Sequence, residues 1–415
     1  SAAEKTTLTF WHAMGGTNGE VLQQIVDDFN ASQDEIEIKA EYQGTYDDTI
    51  TKLKAAMQSD SGLPDVCQMY DVGTKFMYDS GAVIPVEDKF ESTGYDKSSV
   101  MEVISSYYTV DGKQYAMPFN VSTPMLYYNK DVFEAAGLDP ETPPTTYDEV
   151  LEDAKKIVES GAAPVGYSQA IYGWFFEQQL AGLGVTYGNN DNGRKEAVTA
   201  VDFDSNGGGL KVFDMWKKLY DSGYFEDYGT TTADTQTAFF SGQVGMIIES
   251  TAILKNAVDS SPFEVGTGYL PRIEQNDEGG VIIGGGSLWL TDTGNEANED
   301  AAWKFIEYIT TPDVQAKWSM GTGYFAINEK AYETEDMKAY LKENPNFETA
   351  INQLKDSPVN CNTAGVLSGV QTEARLTFNE IMPQVYDGKL TTQDAVDQLA
   401  ASVNKAIENY NEAIK

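Results

Sequence analysis

The chain has 415 residues, long enough for two or three cores, and its 41% hydrophobic and 22% charged residues are those of an ordinary globular protein. A small disulfide-stapled module is excluded, and so is a disordered or fibrous chain. Its 28 Lys+Arg against 65 Asp+Glu leave a formal charge of −37, a field that repels phosphate backbones and anionic headgroups, so nucleic acid and acidic membrane surfaces are poor partners and a small solute or a basic partner remains. No apolar run approaches the ~18 residues of a membrane span. Cys67 and Cys361 are too far apart for a metal-type spacing and are expected to be free thiols, with no metal or cofactor implied.

In chain order, LTFWH (8 to 12) reads as a short strand, followed by the turn-rich MGGTNG and a helix in which Val21, Leu22, Ile25, Val26 and Phe29 share one face. IEIKAEY (36 to 42) alternates as a half-buried strand, TITKLKAAM (49 to 57) returns to helical spacing, and DVCQMY (65 to 70) is a buried strand. Such alternation implies parallel strands joined by crossover helices, with the loops after Trp11, Tyr42 and Tyr70 facing one crevice at the strand carboxyl ends. The stretch YAMPFNVSTPMLYYNKDVF (115 to 133), with a polar NVST between prolines, reads as a crossing between lobes.

A second α/β set follows. Thr146 and Glu149 form a capping-box pattern before a helix that buries Val150, Leu151, Ala154, Ile157 and Val158. Further helices are expected over 210 to 221 and at the C-terminus, and strands at VGMIIES (244 to 250), EVGTGYL (264 to 270) and GGVIIGGGSLWL (279 to 290). The glycines of the last strand allow close approach by a backbone or ligand, which suits a second crossing. The helix DAAWKFIEYIT and the segment MGTGYFAIN (320 to 328) complete the first set, and that segment is a candidate third crossing.

Catalytic chemistry finds little support. His12 is the chain's one histidine, so no Ser/His/Asp or Cys/His arrangement and no histidine zinc site can be built; it reads as a residue ending the first strand. GGTNGE lacks the G-x-G-x-x-G order and the DGK tripeptides lack the rest of a P-loop. With 65 acids, apparent carboxylate pairs are inevitable, and Glu296, Glu299 and Asp300 read as a solvated face. The aromatic clusters Tyr107-Tyr108, Tyr127-Tyr128 and Tyr172 to Phe176 are expected at loop or strand edges, where they serve either core or ligand wall.

Taken in order, FWHAMGG, YQGTY, QMYDVGT, PFNVSTPMLYYNKDVFEAAGLDPETPPTT, IIGGGSLW and GTGYFAIN resemble the family 1 extracellular solute-binding proteins of ABC transporters, most of all their glycerol-phosphate-binding branch, and the matches run from residue 8 to the C-terminal helices. The resemblance implies an α/β fold of two periplasmic-binding-protein-like lobes, of the maltose-binding (type II) kind, closing on a solute. The expected lobes are 1–119 with 286–323 and 124–283 with 327–415, with hinges near 119–124, 283–286 and 323–327. By the same resemblance Tyr46, Ser122, Ser250, Gly285, Tyr324 and Arg375 hold the ligand, Asp71 stands where relatives carry glutamate, and Trp174 lines the cleft. Phe325-Ala326 follows GTGY where Leu-Pro is common among relatives.

These residue types suit a phosphorylated polyol. Arg375 offers a planar fork for two phosphate oxygens, and the hydroxyls of Tyr46, Ser122, Ser250 and Tyr324 with the Gly285 N–H serve the remaining oxygens. Screening at physiological salt limits the reach of the −37 background to about 8 Å, so local charge decides. The expectation is a monomeric, non-enzymatic receptor, outside the cytoplasm and either lipid-anchored or periplasmic, that delivers glycerol 3-phosphate or a glycerophosphodiester such as glycerophosphocholine to membrane permease subunits. An oligosaccharide binder of the same fold and a glycoside hydrolase are the rival readings.

Overall fold

The computed structural model describes residues 4–415. In chain order the strands are β1 (Thr6–His12), β2 (Ile36–Tyr42), β3 (Val66–Tyr70), β4 (Val83–Ile84), the hairpin pair β5 (Thr109–Val110) and β6 (Lys113–Gln114), β7 (Met117–Ser122), β8 (Pro124–Asn129), β9 (Val165–Ser168), β10 (Val244–Ser250), β11 (Val265–Gly268) and β12 (Gly284–Thr291). They belong to two compact units. One runs to Ser122 and resumes over Ile283–Glu343; the other comprises Thr123–Ile282 and Asn344–Lys415.

In the first unit the sheet order is β2-β1-β3-β12-β4, with β7 also paired to β12. Leu8, Phe10 and His12 alternate inward along β1, and β1 runs parallel to β2 and β3, as the strand–helix alternation requires. β12 enters antiparallel to β3, β4 and β7. The helix Gly16–Ser32 buries Leu22, Ile25, Val26 and Phe29, while Val21 stays half-buried.

The expected third crossing at 323–327 lies inside this unit. Phe325 N–H donates to Val121 O at 3.0 Å, Ile327 N–H to Gln315 Oε1 at 2.9 Å, and Asn328 Nδ2 to Thr310 O at 2.9 Å. The chain changes unit between Glu343 and Asn344, where Pro345 disfavours helical backbone in the residue before it and the helices Glu335–Glu343 and Pro345–Asp356 are separated.

The second unit carries the sheet β11-β8-β10-β9, antiparallel except for β10 with β9. Helix Tyr147–Glu159 buries Val150, Ala154 and Ile157, leaving Leu151 and Val158 half-buried. Only half of the expected capping box forms: Thr146 Oγ1 accepts from Glu149 N–H at 3.1 Å, but the Glu149 carboxylate turns to Thr145 N–H at 2.9 Å. The last expected strand is also shorter at its start, because Gly279–Ile283 is held irregularly by side chains. Gln178 takes both backbone groups of Ile282 at 2.8 Å, and Ser357 Oγ accepts from Val281 N–H at 3.1 Å.

The segment Gly173–Gly182 is a helix, not a loop or strand edge, and all ten of its residues are buried. Its polar residues are satisfied internally, with Gln179 bonded to both Tyr147 and the Trp216 indole at 2.6 Å. Arg272 donates to the carbonyls of Gly182 at 3.0 Å and Gly279 at 3.1 Å, fixing the carboxyl end of that helix. At its other end a Cβ on Gly173 would lie 2.6 Å from the Arg375 Cα, so the absence of a side chain there sets how closely helix Gln371–Tyr386 can pass.

Candidate functional site

In the first unit Thr45 caps the helix Tyr46–Ser59 through a reciprocal bond with Asp48, and this places Tyr46 on the first turn. The Tyr46 ring stacks on Tyr70, with centroids 5.1 Å apart and planes 13° from parallel, and its hydroxyl accepts from Asn120 Nδ2 at 2.7 Å. A relay of amides fixes that bond. Ala13 N–H donates to Gln68 Oε1 at 2.8 Å, Gln68 Nε2 donates to Asn120 Oδ1 at 2.8 Å, and Asn120 is thereby left with its NH₂ toward Tyr46. Each orientation follows from the one before, beginning at a backbone donor that cannot flip, and the Tyr46 O–H is left to act as donor.

Asn120 needs room to lie there, and two glycines of β12 provide it. A Cβ on Gly285, at φ +94°, would sit 1.8 Å from Asn120 O, and one on Gly286 2.4 Å from Asn120 Oδ1. Asp71 is buried at the carboxyl end of β3, where its carbonyl accepts from Tyr107 Oη at 3.0 Å. Burial first, then the neighbouring Tyr324 phenol, with smaller contributions from Asp71 and Tyr108, pushes the Tyr46 hydroxyl far above the ordinary phenol range; it stays protonated. Tyr324 is itself raised by burial, and its ring lies parallel to Trp318 with centroids 5.9 Å apart. The first unit thus gathers Tyr46, Asp71 and Tyr324, with Asn120, Gln68 and Tyr70 unanticipated by the sequence reading. Ser122 is buried at the end of β7, opposite Gly284 in the register with β12.

In the second unit Trp174 is buried on the first turn of helix Gly173–Gly182, beside Tyr172 with centroids 5.9 Å apart. Arg375 comes from helix Gln371–Tyr386 and is not a surface residue: its side chain is 15% exposed. It is, however, already engaged. Its Nε donates to Glu177 Oε2 at 2.7 Å and its Nη2 to Glu177 Oε1 at 2.9 Å, and Gln371 Nε2, one turn earlier, adds a bond to Glu177 Oε2 at 3.2 Å. Glu177 was not anticipated. Its signal was the spacing from Trp174, three residues along, which puts both on one face once the segment is known to be helical. Ser250 ends β10 with its Oγ accepting from Ala252 N–H at 3.0 Å, and its carbonyl accepts from Tyr127 Oη at 2.6 Å.

His12 is 5% exposed, and burial lowers its pKa to about 4. Both cysteines are free thiols; Cys67 is buried, with its pKa pushed up to about 12. Glu299 departs from the expected solvated face: it is 8% exposed, and burial raises its pKa. Among the described residues no group of His, Cys, Asp and Glu is placed to hold a metal ion.

The profile of the bacterial extracellular solute-binding proteins matches residues 24–349. The chain belongs to this solute-binding family. It is 30% identical, over its whole length and 95% of the relative's, to the sn-glycerol-3-phosphate-binding periplasmic protein UgpB of Escherichia coli K12. Among solved structures it resembles the cyclic α-maltosyl-1,6-maltose-binding protein of Arthrobacter globiformis, at TM-score 0.82 and 26% identity over 98% of this chain and all of that one. UgpB of Mycobacterium tuberculosis in complex with glycerophosphocholine gives TM-score 0.81 at 20% identity, again over 98% of this chain and 100% of that one. The maltose-binding-protein-like α/β fold expected from sequence is borne out. Solute-binding proteins of this family are extracellular or periplasmic components of ABC importers, and no described helix of this one is long and apolar enough to cross a membrane.

Proposed function

We propose that this solute-binding protein captures a glycerophosphodiester, such as glycerophosphocholine, or glycerol 3-phosphate and delivers it to membrane permease subunits, acting as a monomer held by a lipid anchor or free in a periplasm. In this reading solute draws the units together about the crossings at 119–124 and 283–286 and shifts an open–closed equilibrium. Tyr46 and Asp71 take the glycerol hydroxyls, Ser122, Ser250, Tyr324 and the Gly285 N–H take further oxygens, Arg375 faces the phosphate, and Trp174 covers the apolar edge. The observation that carries it is the fixed donor at Tyr46 beside the buried Asp71 carboxylate, a donor–acceptor pair suited to vicinal hydroxyls.

An oligosaccharide is the second reading, favoured by the stacked Tyr46–Tyr70 rings and by the carboxylate already seated on Arg375. Calorimetry with glycerol 3-phosphate, glycerophosphocholine, glycerol and maltotriose separates them. Binding of a phosphoester, lost in Arg375→Ala, is the expected result; a preference for maltotriose over both phosphoesters defeats the reading. Release of reducing ends from a glycan would show a hydrolase instead.

A further inference from the structure

The Nε–Nη2 edge of a guanidinium is one of the two edges that match two oxygens of a carboxylate or a phosphate. In this chain Glu177 fills that edge of Arg375, at 2.7 and 2.9 Å, with side-chain exposures of 9% and 15%. A phosphate can take it only by displacing a buried carboxylate. The sequence has three arginines, and the other two serve backbone carbonyls: Arg194 those of Ala364 and Gly365, Arg272 those of Gly182 and Gly279. Lys75, the buried lysine that follows Asp71, is paired with Asp79 at 2.8 Å. The Arg375–Glu177 pair is formally neutral, and Asp71, the other charged candidate, is an acid.

Resting on the phosphoester reading above, we propose that Glu177 is a specificity-determining residue: by occupying the fork of Arg375 it admits a phosphodiester, whose phosphate carries a single negative charge, and rejects a phosphate monoester. The two ligands differ where the carboxylate acts. A monoester carries about −1.5 to −2 at pH 7, and every added negative charge meets Glu177 across a low-dielectric site. A diester phosphate carries a single charge and meets correspondingly less of that repulsion, and a cationic headgroup offsets it further. Specificity then comes from a repulsive element built beside the attractive one.

Calorimetry on the full chain, with and without Glu177→Gln, tests this with glycerol 3-phosphate, glycerophosphocholine and maltotriose. The amide keeps the shape and one acceptor for Arg375 but drops the charge. Expected is a preference of about tenfold or more for glycerophosphocholine over glycerol 3-phosphate in the native sequence, and a gain of about tenfold in glycerol 3-phosphate affinity in Glu177→Gln, with glycerophosphocholine changed less than about threefold. Glycerol 3-phosphate bound as tightly as the diester by the native sequence, or a ratio that Glu177→Gln leaves unchanged, overturns the assignment. If only maltotriose binds the native sequence, the phosphoester reading fails. The role of Glu177 then stands if Glu177→Gln gains glycerol 3-phosphate binding and falls if it does not. Should the variant melt early, the native preference between the two phosphoesters decides alone.

Discussion

Asn120 and Glu177 are the partners of the candidate residues Tyr46 and Arg375, and neither is recognisable from its own neighbourhood in the chain. Asn120 gains its meaning from Gln68 and Tyr46, and Glu177 from a partner 198 positions away. Tyr46, Asp71, Arg375 and the other candidates were named because the motifs around them resemble a family; which of them is already partnered is a matter of tertiary distance. The one histidine offers a test at this scale. His12 Nδ1 accepts from Met14 N–H at 3.1 Å, and burial holds the imidazole pKa near 4, below its unfolded value of about 6.5. The folded state thus favours the neutral ring, and this stability is complete above pH ~6.5 and is lost progressively as pH falls toward 4. The single imidazole resonance should titrate near pH 4 by NMR, and His12→Gln should show a flatter decline in melting temperature between pH 7 and 5 than the native sequence. Titration near 6.5 would contradict the burial described.

Helices with a wet face were readable. The apolar spacing in Gly16–Ser32 and Tyr147–Glu159 gave both elements, because one side of each meets water and the pattern records it. Helix Gly173–Gly182 has no such side. Buried all round, with Glu177, Gln178 and Gln179 each satisfied by distant groups, it carries no periodic signal, and its aromatics were read as edge residues. Glycines were more informative: the GGG of β12 was expected to permit close approach, and the approaching group is Asn120. Gly285→Ala combines a Cβ 1.8 Å from the Asn120 carbonyl oxygen with φ +94°, so it should lower unfolding free energy by about 2 kcal/mol or more and weaken ligand binding through displacement of Asn120. Urea unfolding and calorimetry measure the two effects, and an unperturbed midpoint would show that β12 and β7 can separate at little cost.

For the molecule as a whole, composition excluded partners better than it chose one. The two-unit α/β organisation followed from the alternation of elements, and two of the changes of unit fall at the motifs singled out in sequence; the last, at Glu343–Asn344, lies between two helices and had no motif to mark it. The net charge of −37 has a kinetic consequence. An anionic solute approaches against a repulsive field whose range shrinks from about 30 Å at 10 mM salt to about 8 Å at 150 mM. The association rate of glycerol 3-phosphate should therefore rise with ionic strength in stopped-flow measurements while that of maltotriose stays flat. A falling rate would place a positive local field at the point of entry.

The position of β12 bears on how such a chain is made. This strand joins β3 on one side to β4 and β7 on the other, yet it lies more than 150 residues after any of them in sequence. A ribosome or an export channel releasing the chain from its N-terminus delivers β1 to β7 well before the strand that closes their sheet, and the exposed edges of β3 and β7 must wait through the whole of the intervening segment. Folding of this unit is consequently a late, long-range event, and the waiting edges are where a chaperone would have to act.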